Sequence, residues 1–189
     1  IAALIILGGI GFSILYNLYE YLKYRFWLLP RSIEGRSGHR PWVLNFNSRI
    51  ILMTTFVLLV AGTVLFLILE WNGVLKDHTG IGKLVEAFFL SVTPRTAGFN
   101  TVDMAALAPS TIILVILFMW IGASPGSTGG GIKTSTFALA SLNIFGTILG
   151  KNRIEIYRRE VSNSSLRLSY TVISLSLIVI GIAIFFLMV

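Results

Sequence analysis

Two short segments concentrate residue types that could handle an ion without acidic side chains. The first is Thr93-Pro-Arg-Thr-Ala-Gly-Phe-Asn100. Pro94 ends a preceding helix, and Gly98 permits the left-handed or extended backbone that turns main-chain carbonyls toward an axis. Carbonyl oxygens gathered in this way can replace the hydration shell of a bare cation. On shape alone, the same residues equally fit an ordinary turn rich in Thr, Gly and Asn. The second segment is Gly122-Ala-Ser-Pro-Gly-Ser-Thr-Gly-Gly-Gly-Ile-Lys133. It lacks the side chains and φ restriction of a stable helix, so it interrupts whatever element contains it.

Other chemistries are disfavoured by what accompanies these segments. Cysteine is absent, which removes disulfides and thiolate metal sites, and His39 and His78 stand without a further ligand at metal spacing. Residues 126–134 come close to the phosphate-binding pattern GxxxxGK[ST], but Ile132 is inserted before Lys133 and the flanking run is apolar with no β-strand pattern. The sequon Asn163-Ser-Ser165 falls in a segment assigned below to the cytoplasm, where glycosylation does not reach. The formal net charge of +7, from 15 Lys and Arg against 8 Asp and Glu, is gathered into two loops, which argues against nucleic acid as a partner.

The elements that must position the two segments are helices in lipid. Hydrophobic residues make up 55% of the 189 positions and mean hydropathy is +0.84, which excludes an ordinary soluble domain. Apolar stretches cover residues 1–22, 50–69, 111–150 and 168–189, each near or above the roughly 20 residues that span a hydrocarbon core as helix. The chain opens and stops inside such stretches, as an excerpt of a longer sequence would. As one straight helix, residues 111–150 would run about 60 Å at ~1.5 Å per residue, twice the core thickness, so the glycine segment must break it.

Lys23, Arg25, Arg31, Arg36, Arg40 and Arg49 lie in one loop and Lys151, Arg153, Arg158, Arg159 and Arg167 in another, which places both in the cytoplasm. The expected architecture is therefore an all-α membrane protein. Transmembrane helices occupy 1–22, 50–69 and 168–189, and basic cytoplasmic loops 23–49 and 151–167. An outer segment, 70–108, carries a short pore helix over 81–92 and a re-entrant loop over 93–100. A broken transmembrane helix covers 109–150, with a glycine-rich loop at 122–133. Irregular backbone at such depth is tolerated only against protein or a watery cavity. Trp27, Trp42, Trp71, Tyr21, Tyr24 and Tyr157 fall near span ends, as interfacial anchors do.

The two motifs, in this order, closely resemble the third repeat of the Trk/Ktr/HKT superfamily of potassium transporters, the second motif being Ktr-like. The resemblance covers essentially the whole chain: Gly8-Gly-Ile-Gly-Phe12 looks like the end of a second repeat and residues 168–189 like the start of a fourth. It implies four helix-pore-helix repeats around one pore, with potassium uptake through a carbonyl filter and no enzymatic activity. By this carry-over the backbones of Thr96, Ala97, Gly98 and Phe99 form one quarter of the filter and coordinate K+, while Thr93 and Asn100 brace it. Gly126, Ser127, Thr128, Gly129, Gly130 and Gly131 form a gating loop that obstructs the cavity below.

A cation beside a cation filter repels the permeant ion, so Arg95 is expected to point outward in a structural role. Lys133, an intramembrane charge, is expected to face the pore or to be paired. No covalently bound cofactor is expected; K+ is the permeant ion and Na+ a candidate coupling ion. Expected partners are membrane lipid, the remaining repeats, a second copy of the chain in a homodimer and, as the resemblance implies, a cytoplasmic nucleotide-binding ring. Two further readings stay open on the residues alone: an ion-coupled solute symporter with a discontinuous helix at its site, and a structural membrane subunit.

Overall fold

Gly11 divides the first apolar stretch. In the computed structural model, which describes residues 1–28, 46–95, 98–150, 155–156 and 159–188, α1 (Ala2–Ile10) and α2 (Phe12–Leu28) replace the single helix expected over 1–22. The two are bent by 98° at Gly11, whose φ of +85° is open to glycine and strained for other residues. Most of the expected loop 23–49 lies outside the described residues, although α2 extends helically past Lys23.

α3 (Phe46–Leu69) and α7 (Asn163–Met188), of 24 and 26 residues, are long and apolar enough to cross a membrane, and the bent α1–α2 pair would be a third span. On α3 the buried residues Ser48, Ile51, Thr55, Gly62 and Phe66 recur at helical spacing and form one stripe. α4 (Gly80–Val92) lies against that stripe and covers the region read as a pore helix. Its 13 residues give about 20 Å at ~1.5 Å per residue, too short to span. A Cβ at Gly62 would come within 2.9 Å of both Ser91 Cβ and the Phe118 ring, so the missing side chain is what lets α3 take α4 on one side and the next helix on the other. Thr63 Oγ1 and Ser91 Oγ, 3.2 Å apart, form a hydrogen bond across the α3–α4 contact.

The long third stretch is broken as its length required. α5 (Pro109–Trp120) begins with proline at its first position, where no N–H is needed, and α6 (Thr134–Ile148) resumes after the glycine segment. α7 packs against α6, with Asn143 Nδ2 donating to the Tyr170 hydroxyl at 2.6 Å, and also meets the end of α5, where Trp120 Nε1 donates to Ser176 Oγ at 3.2 Å. Between α6 and α7, β1 (Glu155–Ile156) and β2 (Arg159–Glu160) pair antiparallel within the basic segment. The architecture is an all-α membrane fold with this one small hairpin.

The outer end is closed by a buried acid. Glu70, 1% exposed and directly after α3, accepts hydrogen bonds from the N–H of Val74 at 3.1 Å and of Ala108 at 2.9 Å. It thereby ties the end of α3 to the residue that starts α5, over a core of Phe66, Leu75, Ala87, Leu90, Leu107 and Val115. Removing the carboxylate strands both donors, at about 1–3 kcal/mol each. Glu70→Ala should therefore lower the melting temperature of the full-length protein in detergent, and Glu70→Gln, which keeps one acceptor oxygen, should lower it less.

Candidate functional site

α4 runs directly into the first candidate segment. Thr93 continues the helical turn with φ −57° and ψ −46°, and residues Thr93–Arg95 close as a 3₁₀ turn. The negative end of the α4 dipole is thus directed at the loop that follows, a favourable field for a cation. Thr96 and Ala97, two of the proposed filter residues, lie outside the described residues. Beyond them Gly98 has φ +64°, and its N–H donates to the Thr93 carbonyl at 3.4 Å. The Thr93 hydroxyl donates to the Phe99 carbonyl at 2.9 Å.

Thr93 therefore closes the loop from inside, through its main chain toward Gly98 and through its side chain toward Phe99. Because the Phe99 oxygen already accepts from Thr93, only its second lone pair is free for another partner. Asn100, expected as a brace, is exposed and its side chain makes no hydrogen bond among the described residues. The neighbouring Thr101 supplies that tether instead, its hydroxyl donating to Glu86 Oε1 on α4. Arg95, expected to point outward, is 9% exposed, and its Nε finds no hydrogen-bond partner among the described residues.

The second segment is pinched at its root. Ile132 N–H donates to the Trp120 carbonyl at 2.9 Å, Ala123 N–H to Gly130 at 3.3 Å and Thr134 N–H to Ala123 at 3.3 Å. The two limbs run so close that a Cβ on Gly122 would sit 1.7 Å from the Gly130 oxygen, and one on Gly131, where φ is +75°, would sit 2.8 Å from the Gly122 backbone. No side chain fits at either position. Toward the tip, Gly126 has φ +76° and Ser127 Oγ donates to the Ser124 carbonyl at 2.6 Å. Gly129 N–H donates to Ser127 Oγ at 3.4 Å, and the Lys133 ammonium donates to the Gly129 carbonyl at 2.8 Å. Lys133 is thus partnered by a carbonyl of the loop itself. Thr128, Gly130 and Gly131 are exposed.

The two breaks in the chain meet each other, which sequence reasoning missed. Ser124, fully buried, donates its N–H to the Gly9 carbonyl at 3.0 Å and its hydroxyl to the carbonyls of Gly9, at 2.9 Å, and Ile10. These are carbonyls that the end of α1 would otherwise leave without partners. A Cβ on Gly11 would lie 3.1 Å from the Gly126 carbonyl carbon and oxygen, so the bend and the glycine loop touch backbone to backbone. The signal for this was weak: a serine before a proline in one apolar stretch, and a third glycine in Gly8-Gly-Ile-Gly in another.

The arrangement offers main-chain oxygens and hydroxyls, with no acidic chelate. Among the described residues no three His, Cys, Asp or Glu side chains come together as a metal site. The glycine-rich run follows the α5 helix, which is not the strand that a phosphate-binding loop requires.

Comparison with known proteins gives the same assignment throughout the chain. The family model described as "Cation transport protein" (TrkH) matches residues 1–189. The potassium/sodium uptake protein NtpJ of Enterococcus hirae is 34% identical over 185 residues, covering 96% of this chain and 37% of that protein. Potassium uptake protein B of the Ktr system is 33% identical in Vibrio alginolyticus, over 100% of this chain and 38% of the relative. Its counterpart in Bacillus subtilis is 30% identical over 96% and 38%. The chain spans less than two fifths of the length of these relatives. With two apolar helices long enough to cross a bilayer and a family match from end to end, the chain belongs to the TrkH family of membrane cation transport proteins.

Proposed function

We propose that the full-length protein takes up potassium across the cell membrane, and that this chain supplies one repeat of its pore. The observation that carries the reading is the tight turn at the end of α4, which we read as re-entrant. A helix too short to span ends in a loop whose glycine, Gly98, adopts φ +64°, while Thr93 holds the loop closed at the Phe99 carbonyl. In this reading Thr96, Ala97, Gly98 and Phe99 present main-chain oxygens to a dehydrating K+, with three equivalent loops from the rest of the protein completing the ring. The membrane potential drives entry at about 2.3 kcal/mol per charge per 100 mV. The names of the relatives, one of them a potassium/sodium uptake protein, support K+ as the permeant ion and Na+ as a second ion the system handles.

Below the filter, Gly126, Ser127, Thr128, Gly129, Gly130 and Gly131 form the gate. Gly122 and Gly131 pinch the root and Gly126 rests on Gly11, so in this reading movement centres on Ser127, Thr128 and Gly129, whose small side chains rearrange at little steric cost. The basic segments 23–49 and 151–167 face the cytoplasm, where they meet anionic lipid or a nucleotide-binding regulatory ring, and the protein works as a homodimer.

Gly98→Ser tests the filter. Open space surrounds the Gly98 Cα, so the serine meets no clash, but φ +64° costs an L-residue about 1–2 kcal/mol and pushes the backbone away from its oxygen-presenting form. In cells lacking other potassium systems, the variant should admit more sodium relative to rubidium than the parent. An unchanged uptake ratio would reject the filter assignment. Deleting residues 129–131 tests the gate: the deletion removes the carbonyl that Lys133 binds together with the Gly130 contact to Ala123, so flux at matched expression should rise. Flux equal to the parent would count against an obstructing loop.

A further inference from the structure

Behind the re-entrant loop lies a small cavity of about 20 Å³, with Ile5, Ile6, Leu59 and Val92 among its apolar walls and Thr55 and Arg95 on its polar side. Both polar side chains are more than nine-tenths buried, Thr55 at 7% exposure and Arg95 at 9%. Among the described residues, neither Thr55 Oγ1 nor Arg95 Nε has a hydrogen-bond partner. Thr55 and Arg95 line the same cavity, and each carries a buried polar atom that needs a partner, which a third group accepting from one and bonding the other would supply.

We propose that this cavity is a binding site for a single structural water, which joins Arg95 to Thr55. The volume decides the ligand class. About 10–15 Å³ of such space is needed for one water, so this site holds one and is too small for a phosphate or a carboxylic acid from solution. The chemistry fits as well: Arg95 Nε–H can only donate, a water oxygen accepts that bond, and the water in turn donates to Thr55 Oγ1. The bridge ties the turn that begins the filter loop to the middle of α3, at the one charged residue in that turn. It also gives the guanidinium a polar neighbour on its buried side. Thr55 is then a positioning residue for the loop, acting through the water and Arg95.

The water itself is independent of the transport reading, since it is detected directly, whereas the positioning role of Thr55 rests on that reading and is tested separately by uptake. The experiment is a structure of the full-length protein, as isolated, at a resolution that orders internal waters, for the parent and for Thr55→Val and Thr55→Ser. The parent should show a density within hydrogen-bond distance of both Thr55 Oγ1 and Arg95 Nε. Thr55→Val, which keeps the shape and loses the hydroxyl, should be dry at that point, and Thr55→Ser should retain the water. In the transport assay Thr55→Val should shift the sodium-to-rubidium uptake ratio upward by a few-fold, with Thr55→Ser restoring the parental value. A cavity empty in the parent while other internal waters are visible would overturn the proposal. So would an acidic side chain from elsewhere in the full-length chain paired with Arg95 Nε, or a Thr55→Ser variant as altered in uptake ratio as Thr55→Val.

Discussion

Main-chain polar groups have to be paired wherever lipid replaces water, and the chain breaks its helices twice within apolar stretches. Each unpaired group at such depth costs several kcal/mol. The structure meets the demand by setting one break against the other. The carbonyls of Gly9 and Ile10 at the end of α1 are taken by Ser124, and the backbone of Gly126 lies against Gly11. Inside the second break, the limbs 120–123 and 130–134 pair with each other through Ile132, Ala123 and Thr134. Once these bonds exist, the glycines are obligatory. Side chains at Gly122 or Gly131 would occupy space already filled by the opposite limb.

The same economy governs the outer half. α4 cannot reach across the membrane and so must be held sideways, by the Gly62 groove on α3 and the Thr63–Ser91 hydrogen bond. Its far end is then free to deliver Thr93 into a tight turn. Glu70 holds α3 and α5 together above it, and Gly73 is small because a Cβ there would come within 2.1 Å of the Glu70 carboxylate. On the proposed reading this loop matches the size of a dehydrated ion and tolerates little movement, which fits its tethers to α4 through Thr93 and Thr101. The glycine segment below is paired at its root and rests on the Gly11 bend through Ser124 and Gly126, while its exposed stretch at Thr128 makes no such contact.

How much of this could be read from the residues follows from how far apart the partners lie. The crossings at α3 and α7 are written in uninterrupted apolar runs, and the short helix before Thr93 in a run too brief to span. The break at 122–133 is written in its glycines and in the excess length of residues 111–150. The bend at Gly11 was not legible, because one further glycine in an apolar run is compatible with a continuous helix. Its cause is the loop around Gly126, which is distant in sequence, as is the Ser124 bond to Gly9 at a separation of 115 residues. Glu70 was not singled out for a similar reason: nothing near it in sequence announces that Ala108 is its partner. Thr93 is expected as a brace only through the family resemblance, and the structure shows its hydroxyl on the Phe99 carbonyl.

Two cations flank the proposed ion path, and the structure treats them differently. Arg95 is withdrawn into the protein behind the turn, on the side facing α1 and α3. Lys133 remains half-buried and bonds the carbonyl of Gly129, a neutral group that orients the ammonium without cancelling its charge. At an effective dielectric of about 20, a unit charge ~8 Å from a potassium ion raises its energy by roughly 2 kcal/mol. On the proposed reading, the loop in this conformation therefore obstructs the path twice, by its bulk and by the charge anchored to it. Any rearrangement that carries Gly129 away must also release or carry the ammonium, so the steric and electrostatic parts of the barrier fall together.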